Sequence, residues 1–374
     1  MMTERNLTLK SSGISKPTLI LDQKRAIKNI EWMVDKAKRA GVRFRPHFKT
    51  HQSAEIGNWF RDFGVVSITV SSLDMASYFA RNGWSDITVA FIANTLEIDK
   101  INDLASRIKL NLLIDSEQVL YLLNQNLQHQ AGMWIKIDTG YKRTGILWDD
   151  FETVHSLAKK IKKSPLLDFR GLLTHAGHSY RAGSQKEIRQ IYHETVSRMT
   201  AVKKYLKEKG FDVCEISIGD TPTCSLADDF TGVDEIRPGN FVFYDLMQVK
   251  LGSCTENEIA VAVACPVVGK YKDRDQIVIY GGAVHLSNTF IFDENGRQIF
   301  GFLTSLQNGT LGFIKRNAPV IALSQEHGIV SVDEGLFEEI NRGDFILIFP
   351  VHSCLTCNLY KEYLDLAGHA IPRL

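Results

Sequence analysis

The sequence predicts an α/β protein in which a (β/α)8 barrel precedes a mainly β domain. Short β-rich runs, most of them continuously apolar, alternate with amphipathic helical stretches from residue 43 to about residue 240, and eight such runs occur. Runs of this kind are typical of buried parallel strands, and the helices between them imply right-handed crossovers. Eight strands favour a closed barrel of the TIM type, with an open doubly wound sheet as the alternative.

The barrel strands are predicted where an apolar run is short and bounded by polar residues or turns. They lie at Arg43–His47, Val65–Val70, Asp86–Phe91, Leu110–Asp115, Gly132–Asp138, Phe169–His175, Cys214–Gly219 and Glu235–Asn240. Between them, apolar residues recur at helical spacing. This spacing predicts helices at Ala54–Phe63, Met75–Asn82, Glu117–Asn126, Phe151–Lys162 and Ser184–Lys209.

After Tyr244 the pattern changes to strands joined by turns, with no long helix between them. The predicted strands are Ile259–Val268, Gln276–Tyr280, Val320–Ser324, Ile329–Val332 and Asp344–Phe349. The early run Pro17–Leu21 is expected to pair into the same sheet. The predicted domains are therefore residues 22–244 for the barrel and residues 245–374, with the strand near 17–21, for the β domain.

Composition excludes several classes of function. Of the 374 residues, 44% are hydrophobic and 23% are charged, which is typical of a folded globular protein. The net charge of +1 gives no reason to expect nucleic acid or an anionic membrane as a partner. No apolar run is long enough to span a bilayer, and the polar start Met1–Lys16 lacks the apolar core of a signal peptide. We therefore expect a cytoplasmic protein.

A lysine between two histidines, Lys49, follows the first predicted strand. His47 and His51 flank it, and Pro46 ends the strand. Two interpretations stay open from these residues alone: a solvated surface lysine, or an amine that attacks an aldehyde cofactor. The second is reasonable because an amine in a partly buried site deprotonates easily.

Other polar segments also follow the ends of predicted strands, at residues 138–143, 175–180 and 219–223. Active sites of (β/α)8 barrels lie at this rim, and the loops after the last two strands often hold phosphate. In the third segment the backbone N–H groups of Asp220 and Thr221, with the hydroxyls of Thr221 and Thr223, are suited to donate to phosphate. Gly219 would let the backbone approach the ligand.

A histidine and a cysteine two residues apart, His352 and Cys354, follow the last predicted strand. In an extended chain they face one side, and imidazole with thiolate suits zinc. Three other interpretations stay open: simple buried cysteines, a closed structural metal site that includes Cys357, and a redox pair of the two cysteines. The sequence predicts no helix start at Cys354, which argues against the redox pair.

Four ordered segments resemble the D-threonine aldolase and eukaryotic-type D-serine dehydratase family, which belongs to the alanine racemase-like, fold-type III enzymes that use pyridoxal 5′-phosphate (PLP). They are Arg45–His51, His175–Tyr180, Glu235–Asn240 and Pro350–Cys354, and the resemblance extends over nearly the whole chain. It implies the same fold, a homodimer, and a small amino acid as substrate.

The resemblance also implies roles for individual residues. Lys49 would bind PLP and act as the base at Cα, and His327, in a Glu-His-Gly turn that is otherwise a surface turn, would be a second catalytic residue. The implied cofactor contacts are Lys49, Arg143, His175, Tyr180, Gly219, Asp220, Thr221, Arg237, Gly239 and Asn240. Arg143 would lie near the phenolic oxygen, and Tyr180 is favoured over Arg237 as the partner of the pyridine nitrogen. His352 and Cys354 would hold a divalent metal, zinc by preference and manganese as the alternative.

Two residues depart from the family pattern. Asp220 stands where the phosphate loop often has serine, so its carboxylate is expected to turn away from the phosphate. His285 lies in a stretch, Gly281–Ser287, where a plainer Asp-Ala-Gly-like motif is expected. This second departure leaves the substrate open.

The implied function is that of a PLP- and metal-dependent lyase acting on a D-configured β-hydroxy amino acid. His-x-Cys resembles the dehydratase branch, whereas the aldolase branch tends to have His-x-Asp. We therefore expect a D-serine dehydratase-like ammonia-lyase that forms a keto acid and ammonia. The alternatives are retro-aldol cleavage to glycine and an aldehyde and, in third place, an amino-acid racemase. A PLP-binding protein without activity and a structural zinc protein are the other classes.

Overall fold

The computed structural model of the protein describes residues 13–374. The polar start, on which the prediction of no signal peptide rests, lies mostly outside the described residues. The described residues form two units, one of Trp32–Gly239 and one of Asn240–Leu374 with residues 13–31. Strand β1 (Thr18–Leu21) and helix α1 (Gln23–Arg39) come first, and the boundary falls within α1. The predicted boundaries, 22–244 and 245–374, remain a proposal.

The first unit contains the predicted barrel. Its strands are β2 (Arg43–Phe44), β3 (Ile68–Val70), β4 (Asp86–Ile92), β5 (Lys109–Ile114), β6 (Ala131–Asp138), β7 (Ile146–Leu147), β8 (Leu167–Leu173), β9 (Glu215–Ile218) and β10 (Glu235–Ile236). Eight of them pair in parallel in the order β2-β10-β9-β8-β6-β5-β4-β3, and β7 pairs only with β6. A bridge between His47 and Thr69 joins the two ends of this order. The sequence prediction of a parallel, TIM-type barrel is therefore confirmed.

Helices follow most barrel strands, as the alternation predicts. They are α2 (Ala54–Asp62), α3 (Leu73–Arg81), α4 (Ile98–Ala105), α5 (Glu117–Asn126), α6 (Phe151–Lys163), α7 (Gln185–Glu208) and α8 (Thr221–Leu226). Side chains of Ser72, Ser116 and Ser184 accept a backbone N–H at the starts of α3, α5 and α7. Such caps fix where a helix begins. They explain why α3 starts before the predicted Met75.

The second unit is built on an antiparallel sheet. Its strands are β11 (Val261–Tyr271), β12 (Gln276–Tyr280), β13 (Ile291–Phe292), β14 (Gln298–Ile299), β15 (Gly301–Thr304), β16 (Leu306–Gln307), β17 (Thr310–Leu311), β18 (Lys315–Leu323), β19 (His327–Ser331), β20 (Phe345–Pro350), β21 (Glu362–Asp365) and β22 (Ala370–Pro372). The main sheet has the order β12-β19-β18-β15-β20-β11-β1-β21-β22. Strand β1 pairs with β11 and β21, so the expected pairing of Pro17–Leu21 is confirmed.

Short helices connect the strands of this second unit. They are α9 (Leu246–Leu251), α10 (Ala283–Leu286), α11 (Glu334–Glu339) and α12 (Ser353–Cys357). Apolar side chains of the sheet, including Ile20, Ala262 and Phe349, pack into one buried core. Among the helices of residues 13–374, none is long and apolar enough to cross a membrane.

A buried ion pair joins the first and last barrel strands in sequence. Nε of Arg45 lies 2.8 Å from Oε2 of Glu235, and both side chains are almost completely buried. Burial opposes ionisation of Glu235, but the guanidinium of Arg45, together with the hydroxyl of Ser217 and the charge of Arg237, keeps the pKa of Glu235 below its ordinary value. The stabilisation is therefore present above the unfolded pKa of Glu235 and is lost as pH falls through the folded one.

We expect Arg45→Met to destabilise the protein by about 3–5 kcal/mol, because it leaves a buried carboxylate without its counter-charge. Urea unfolding at neutral pH measures this change. Arg43→Met is the matched control two residues earlier. Arg43 is half exposed, pairs with Glu215 at 2.5 Å and lies farther from Glu235, at 3.6 Å, so its loss is expected to cost only about 1 kcal/mol. Equal effects of the two variants would contradict the prediction.

Candidate active site

Lys49 lies on the barrel rim, in the turn after β2. Its side chain is exposed, and its backbone oxygen accepts a hydrogen bond from Nε2 of Gln52 at 3.0 Å. Gly239 lies against the same turn: a Cβ on it would come within 2.8 Å of the backbone oxygen of His47. A residue larger than glycine would therefore displace the turn that carries Lys49.

The two histidines that flank Lys49 occupy different environments. The ring of His51 is buried against Phe48 and Phe60, at centroid distances of 4.3 and 5.6 Å, and its Nδ1 accepts the N–H of Ser53 at 3.1 Å. His51 therefore shapes the turn from within the aromatic core. The pKa of His47 is held well below its ordinary value by burial, and then by the charge of Lys49.

The loop after β6 carries the predicted cofactor arginine. Oδ1 of Asp138 accepts the backbone N–H groups of Gly140 and Lys142 at 2.8 and 3.1 Å, which fixes the course of the loop. Arg143 is exposed, and its guanidinium lies 5.0 Å from the ring centroid of Tyr141. This placement on the rim leaves the guanidinium available to an anion.

The loops after β8 and β9 contact one another through two predicted site residues. Nδ1 of His175 is hydrogen-bonded to the backbone oxygen of Gly219. The backbone N–H of Thr221 donates to the hydroxyl of Tyr180 at 3.2 Å. Burial, and then the charge of Lys49, holds the pKa of His175 well below its ordinary value. The structure therefore brings together residues separated by about 40 positions in the sequence.

Asp220 has a structural partner set that the sequence did not reveal. Its carboxylate accepts hydrogen bonds from the hydroxyl of Ser179 at 2.8 Å and from the N–H and hydroxyl of Thr223 at 2.8 and 2.7 Å. Burial raises its pKa to about 6 in spite of these bonds. The hydroxyl of Thr223 is thus used by Asp220, and the expectation that it donates to phosphate is wrong.

The buried polar side-chain atoms of this unit that make no hydrogen bond among the described residues include Oγ1 of Thr221 and Nε of Arg237, both close to the rim loops. The other nitrogens of Arg237 are occupied, because Nη2 donates to the backbone oxygen of Thr174 at 2.7 Å and Nη1 donates to the hydroxyl of Ser217. Leaving a buried donor unsatisfied costs about 1–3 kcal/mol, so a ligand with acceptor oxygens that reached these two atoms would recover that cost.

A further lysine, Lys136, was missed by sequence reasoning. It lies on β6 and is buried, and its Nζ donates to the backbone oxygen of Ile137 at 3.0 Å. Burial, together with the charges of Arg237 and Arg143, lowers its pKa to about 7. The available signal was a lysine inside the otherwise apolar run Gly132–Ile137, where buried charge is rare.

These residues fit a phosphorylated aldehyde such as PLP. Lys49 offers an amine on the rim, and Arg143, Arg237 and Lys136 provide positive charge. The pKa values of His47 and His175 are lowered in part by the same charges, which indicates an excess of positive charge around them. The unpartnered hydroxyl of Thr221 adds a donor for phosphate.

The second unit holds the predicted metal pair, and Asp245 connects its members. Oδ2 of this buried carboxylate lies 3.2 Å from Nδ1 of His352 and accepts the N–H of Ser353 at 2.9 Å. It also accepts a hydrogen bond from Nδ2 of Asn240 at 2.7 Å, and Nδ2 lies 3.6 Å from Sγ of Cys354. A carboxylate on one ring nitrogen orients the other nitrogen toward a metal.

The side chain of Asn240 points to the metal pair. The predicted contact of this residue with phosphate remains a prediction. The carboxylate of Asp245 requires Nδ2 as its donor, so the orientation of the amide is fixed and Oδ1 remains buried without a partner. An imidazole, a thiol and a spare carbonyl oxygen suit zinc. Among residues 13–374, no group of three or more His, Cys, Asp or Glu side chains is arranged to hold a metal.

The chain around Cys354 differs from the extended segment that the sequence predicts. His352 is the N-cap residue of α12, and Cys354 is the second residue of that helix. The stated objection to a redox pair, that no helix begins there, is therefore wrong. Cys357 is completely buried, and burial keeps its thiol protonated by raising its pKa to about 12. Such a thiol is a poor nucleophile.

The structure places His285 and His327 near each other in the second unit. His327 is exposed at the start of β19, opposite Tyr280 on β12. Nε2 of His285 lies 3.7 Å from Oε2 of Glu326. Helix α10, which carries His285, contacts α12, because the hydroxyl of Thr356 donates to the backbone oxygen of Leu286 at 2.9 Å. The catalytic role of His327 remains a prediction.

We expect Asp245→Asn to lower metal affinity by about 10–100-fold, because the imidazole of His352 loses the charge that orients it. Competition with a chelator measures the dissociation constant. Asp365→Asn is the matched control, since Asp365 makes a similar contact, 3.3 Å, with Nδ1 of the exposed His369. A metal affinity unchanged in Asp245→Asn would contradict this role.

A barrel whose rim offers a lysine to an aldehyde and positive charge to a phosphate belongs to the class of PLP-binding barrels. Comparison with known proteins supports this class. Residues 21–246 match the family model described as alanine racemase, N-terminal domain, and residues 260–365 match the model described as putative serine dehydratase domain. The chain therefore belongs to the alanine racemase-like family, in the group that carries a serine dehydratase domain, and this membership implies PLP as cofactor.

Three relatives illustrate the similarity. D-serine dehydratase of Dictyostelium discoideum is 30% identical over 88% of this chain and 88% of its own. D-threo-3-hydroxyaspartate dehydratase of Delftia sp. (strain HT23) is 28% identical over 94% of each chain. A solved structure of D-threo-3-hydroxyaspartate dehydratase from Delftia sp. HT23 superimposes with a TM-score of 0.88 at 26% identity, covering 97% of this chain and 98% of that chain.

Proposed function

We propose that the protein is a PLP- and metal-dependent lyase that eliminates water from a D-configured β-hydroxy amino acid and yields a keto acid and ammonia. The observation that carries this proposal is the His352–Asp245 contact beside Cys354. A histidine oriented by a carboxylate, with a cysteine next to it on a short helix, is the donor set of a metal site that leaves positions open for substrate.

Each residue of the candidate site has a separate role in the proposed reaction. Lys49 would hold PLP and move the proton at Cα, and PLP, when bound, accepts the electrons released there. His352 and Cys354 would hold a metal that acts as a Lewis acid on the β-hydroxyl. Thr221, Arg143 and Arg237 would bind the anionic groups of the cofactor, and Tyr180 would contact its ring nitrogen.

Known relatives support this substrate class. Two of them are named for dehydration, of D-serine and of D-threo-3-hydroxyaspartate. Both reactions remove a β-hydroxyl from a D-amino acid. We therefore propose D-serine, D-threonine and D-threo-3-hydroxyaspartate as the first compounds to test.

Incubation with D-threonine tests the proposal. Formation of 2-oxobutyrate and ammonia is the expected result, and L-threonine is the matched control that must remain unchanged. Glycine and acetaldehyde as the products would replace the proposal with retro-aldol cleavage. This second candidate is favoured by relatives named D-threonine aldolase and 3-hydroxy-D-aspartate aldolase, at 24% and 29% identity. Equal conversion of both enantiomers to one another would indicate a racemase.

Three further expectations belong to this proposal. The metal is zinc rather than manganese, because a thiolate ligand favours the softer ion. The protein acts as a homodimer, which light scattering on the purified chain would measure. The cytoplasmic location expected from the sequence remains a prediction, to be tested by cell fractionation.

A further inference from the structure

Tyr141, in the rim loop after β6, has no role in the proposed reaction, yet its ring contacts three polar side chains of the rim. The guanidinium of Arg143 lies 5.0 Å from its ring centroid. The ring of His175 meets it edge-on, at a centroid distance of 6.0 Å, and the ring of His178 stacks on it at 6.2 Å with an interplanar angle of 27°. Tyr141 therefore connects the loops that follow β6 and β8.

A glycine leaves the space in which this ring lies. A Cβ on Gly177 would be 2.5 Å from Cε1 and 2.6 Å from Cζ of Tyr141, far inside the contact distance of two carbon atoms. The three atoms nearest to such a Cβ all belong to Tyr141. Gly177 is not among the residues with a positive φ, so its φ does not demand a glycine. The position of the ring thus depends on the absence of a side chain at residue 177.

The chain on both sides of Tyr141 is anchored. Oδ1 of Asp138 accepts the N–H groups of Gly140 and Lys142, the two neighbours of Tyr141 in the sequence. The ring therefore stands on a fixed backbone.

Arg143, by contrast, has few contacts that would orient it. Within residues 13–374, no hydrogen bond or ion pair holds its guanidinium, and the ring of Tyr141 is the aromatic face beside it. A long side chain loses much rotamer freedom when a ligand fixes it, and this loss weakens binding. A guanidinium that already lies against an aromatic face has less freedom to lose.

We propose that Tyr141 is a positioning residue, whose ring occupies the space left by Gly177 and holds the guanidinium of Arg143 ready for the cofactor. The ring carries this role and the hydroxyl does not, because the contact with Arg143 is made by the aromatic system. The inference rests on the proposed function, since it takes Arg143 as a contact of PLP.

Calorimetric titration of PLP into cofactor-stripped protein tests the proposal without turnover. Arg143→Met is expected to raise the dissociation constant about 10–100-fold, because a charged hydrogen bond to the cofactor is lost. Tyr141→Leu should raise it about 3–30-fold, the range of a cation–π contact that becomes desolvated. Tyr141→Phe keeps the ring and should bind PLP as wild type does. Tyr121→Leu, at an exposed tyrosine of α5, is the matched control.

Two double variants separate positioning from a general loss of structure. In the Arg143→Met background, Tyr141→Leu should raise the dissociation constant by less than about twofold, since no guanidinium is left to position. Gly177→Ala should weaken PLP binding as Tyr141→Leu does, because its Cβ displaces the ring, and the two changes together should not add. Gly177→Ala also tests the contact if Tyr141→Leu fails to fold.

The absorbance of the bound cofactor, followed against pH, gives a second readout that lost stability alone would not move. A guanidinium near the phenolic oxygen favours the ionised form of that oxygen. The spectral transition should therefore shift to higher pH in Arg143→Met and, by a smaller amount, in Tyr141→Leu. It should stay in place in Tyr141→Phe and in Tyr121→Leu.

Four results would overturn the inference and leave the proposed function intact. They are additive effects of Tyr141→Leu and Arg143→Met, equal losses in Tyr141→Phe and Tyr141→Leu, wild-type binding and spectra in Tyr141→Leu, and wild-type binding in Arg143→Met. A wild type that binds no PLP would instead overturn the proposed function.

Discussion

Replacement of Lys49 with alanine is expected to remove the covalently bound cofactor and to lower turnover by at least about 10²–10⁴-fold. The side chain is the one amine that the proposal assigns to the aldehyde, and its loss removes the group that moves the Cα proton. The visible absorbance of purified protein and the rate of keto-acid formation measure the two effects. Borohydride reduction followed by peptide mapping locates the attachment in wild type.

Lys159→Ala is the control for this experiment, because Lys159 is an exposed lysine of α6 in the same unit. It should keep both the absorbance band and the activity. A band that persists in Lys49→Ala would show that another amine, with Lys136 as the first to examine, holds the cofactor.

Replacement of either metal-pair residue, His352→Ala or Cys354→Ala, is expected to abolish elimination while cofactor binding remains. Loss of a Lewis acid on the departing hydroxyl removes several kcal/mol of transition-state stabilisation, which corresponds to at least about 10²-fold in rate. Metal content by mass spectrometry, the cofactor spectrum and product formation are measured on the same samples. A chelator should reproduce the effect in wild type.

Cys357→Ser separates a two-residue metal pair from a closed structural site. Cys357 is completely buried on the same helix and is not one of the two predicted ligands, so metal content is expected to be unchanged in this variant. Loss of metal on Cys357→Ser, or unfolding of wild type on chelation, would indicate a structural zinc site instead. Full activity in metal-free wild type would contradict the role of the metal.

The barrel was predictable because its signals are local. A buried parallel strand is apolar along most of its length, and most of the eight runs from Arg43 to Asn240 show this directly. The ends of the elements were less predictable, since side-chain caps decide them. Ser72 caps α3, so this helix begins at Leu73, two residues before the predicted start at Met75. Helix α12 begins at Ser353, where an extended chain was expected.

The candidate site was predictable in part for the same reason. Lys49, Gly219 and Arg143 all follow barrel strands, and parallel strands deliver their ends to one rim. The metal pair was visible as two donor side chains two positions apart. Their partner Asp245 was not, because it lies 107 positions before His352 and no spacing connects them.

By itself the sequence determined the alternation of strands and helices, the change to a β domain after Tyr244, and the candidate residues at strand ends. These depend on periodicity and on residue type within a few positions. Only the tertiary structure decided what those residues contact. It showed that the side chain of Asn240 donates to Asp245, assigned the hydroxyl of Thr223 to Asp220, and buried Lys136 inside the barrel. Burial and pKa depend on neighbours that are distant in the chain, and only folding brings them together.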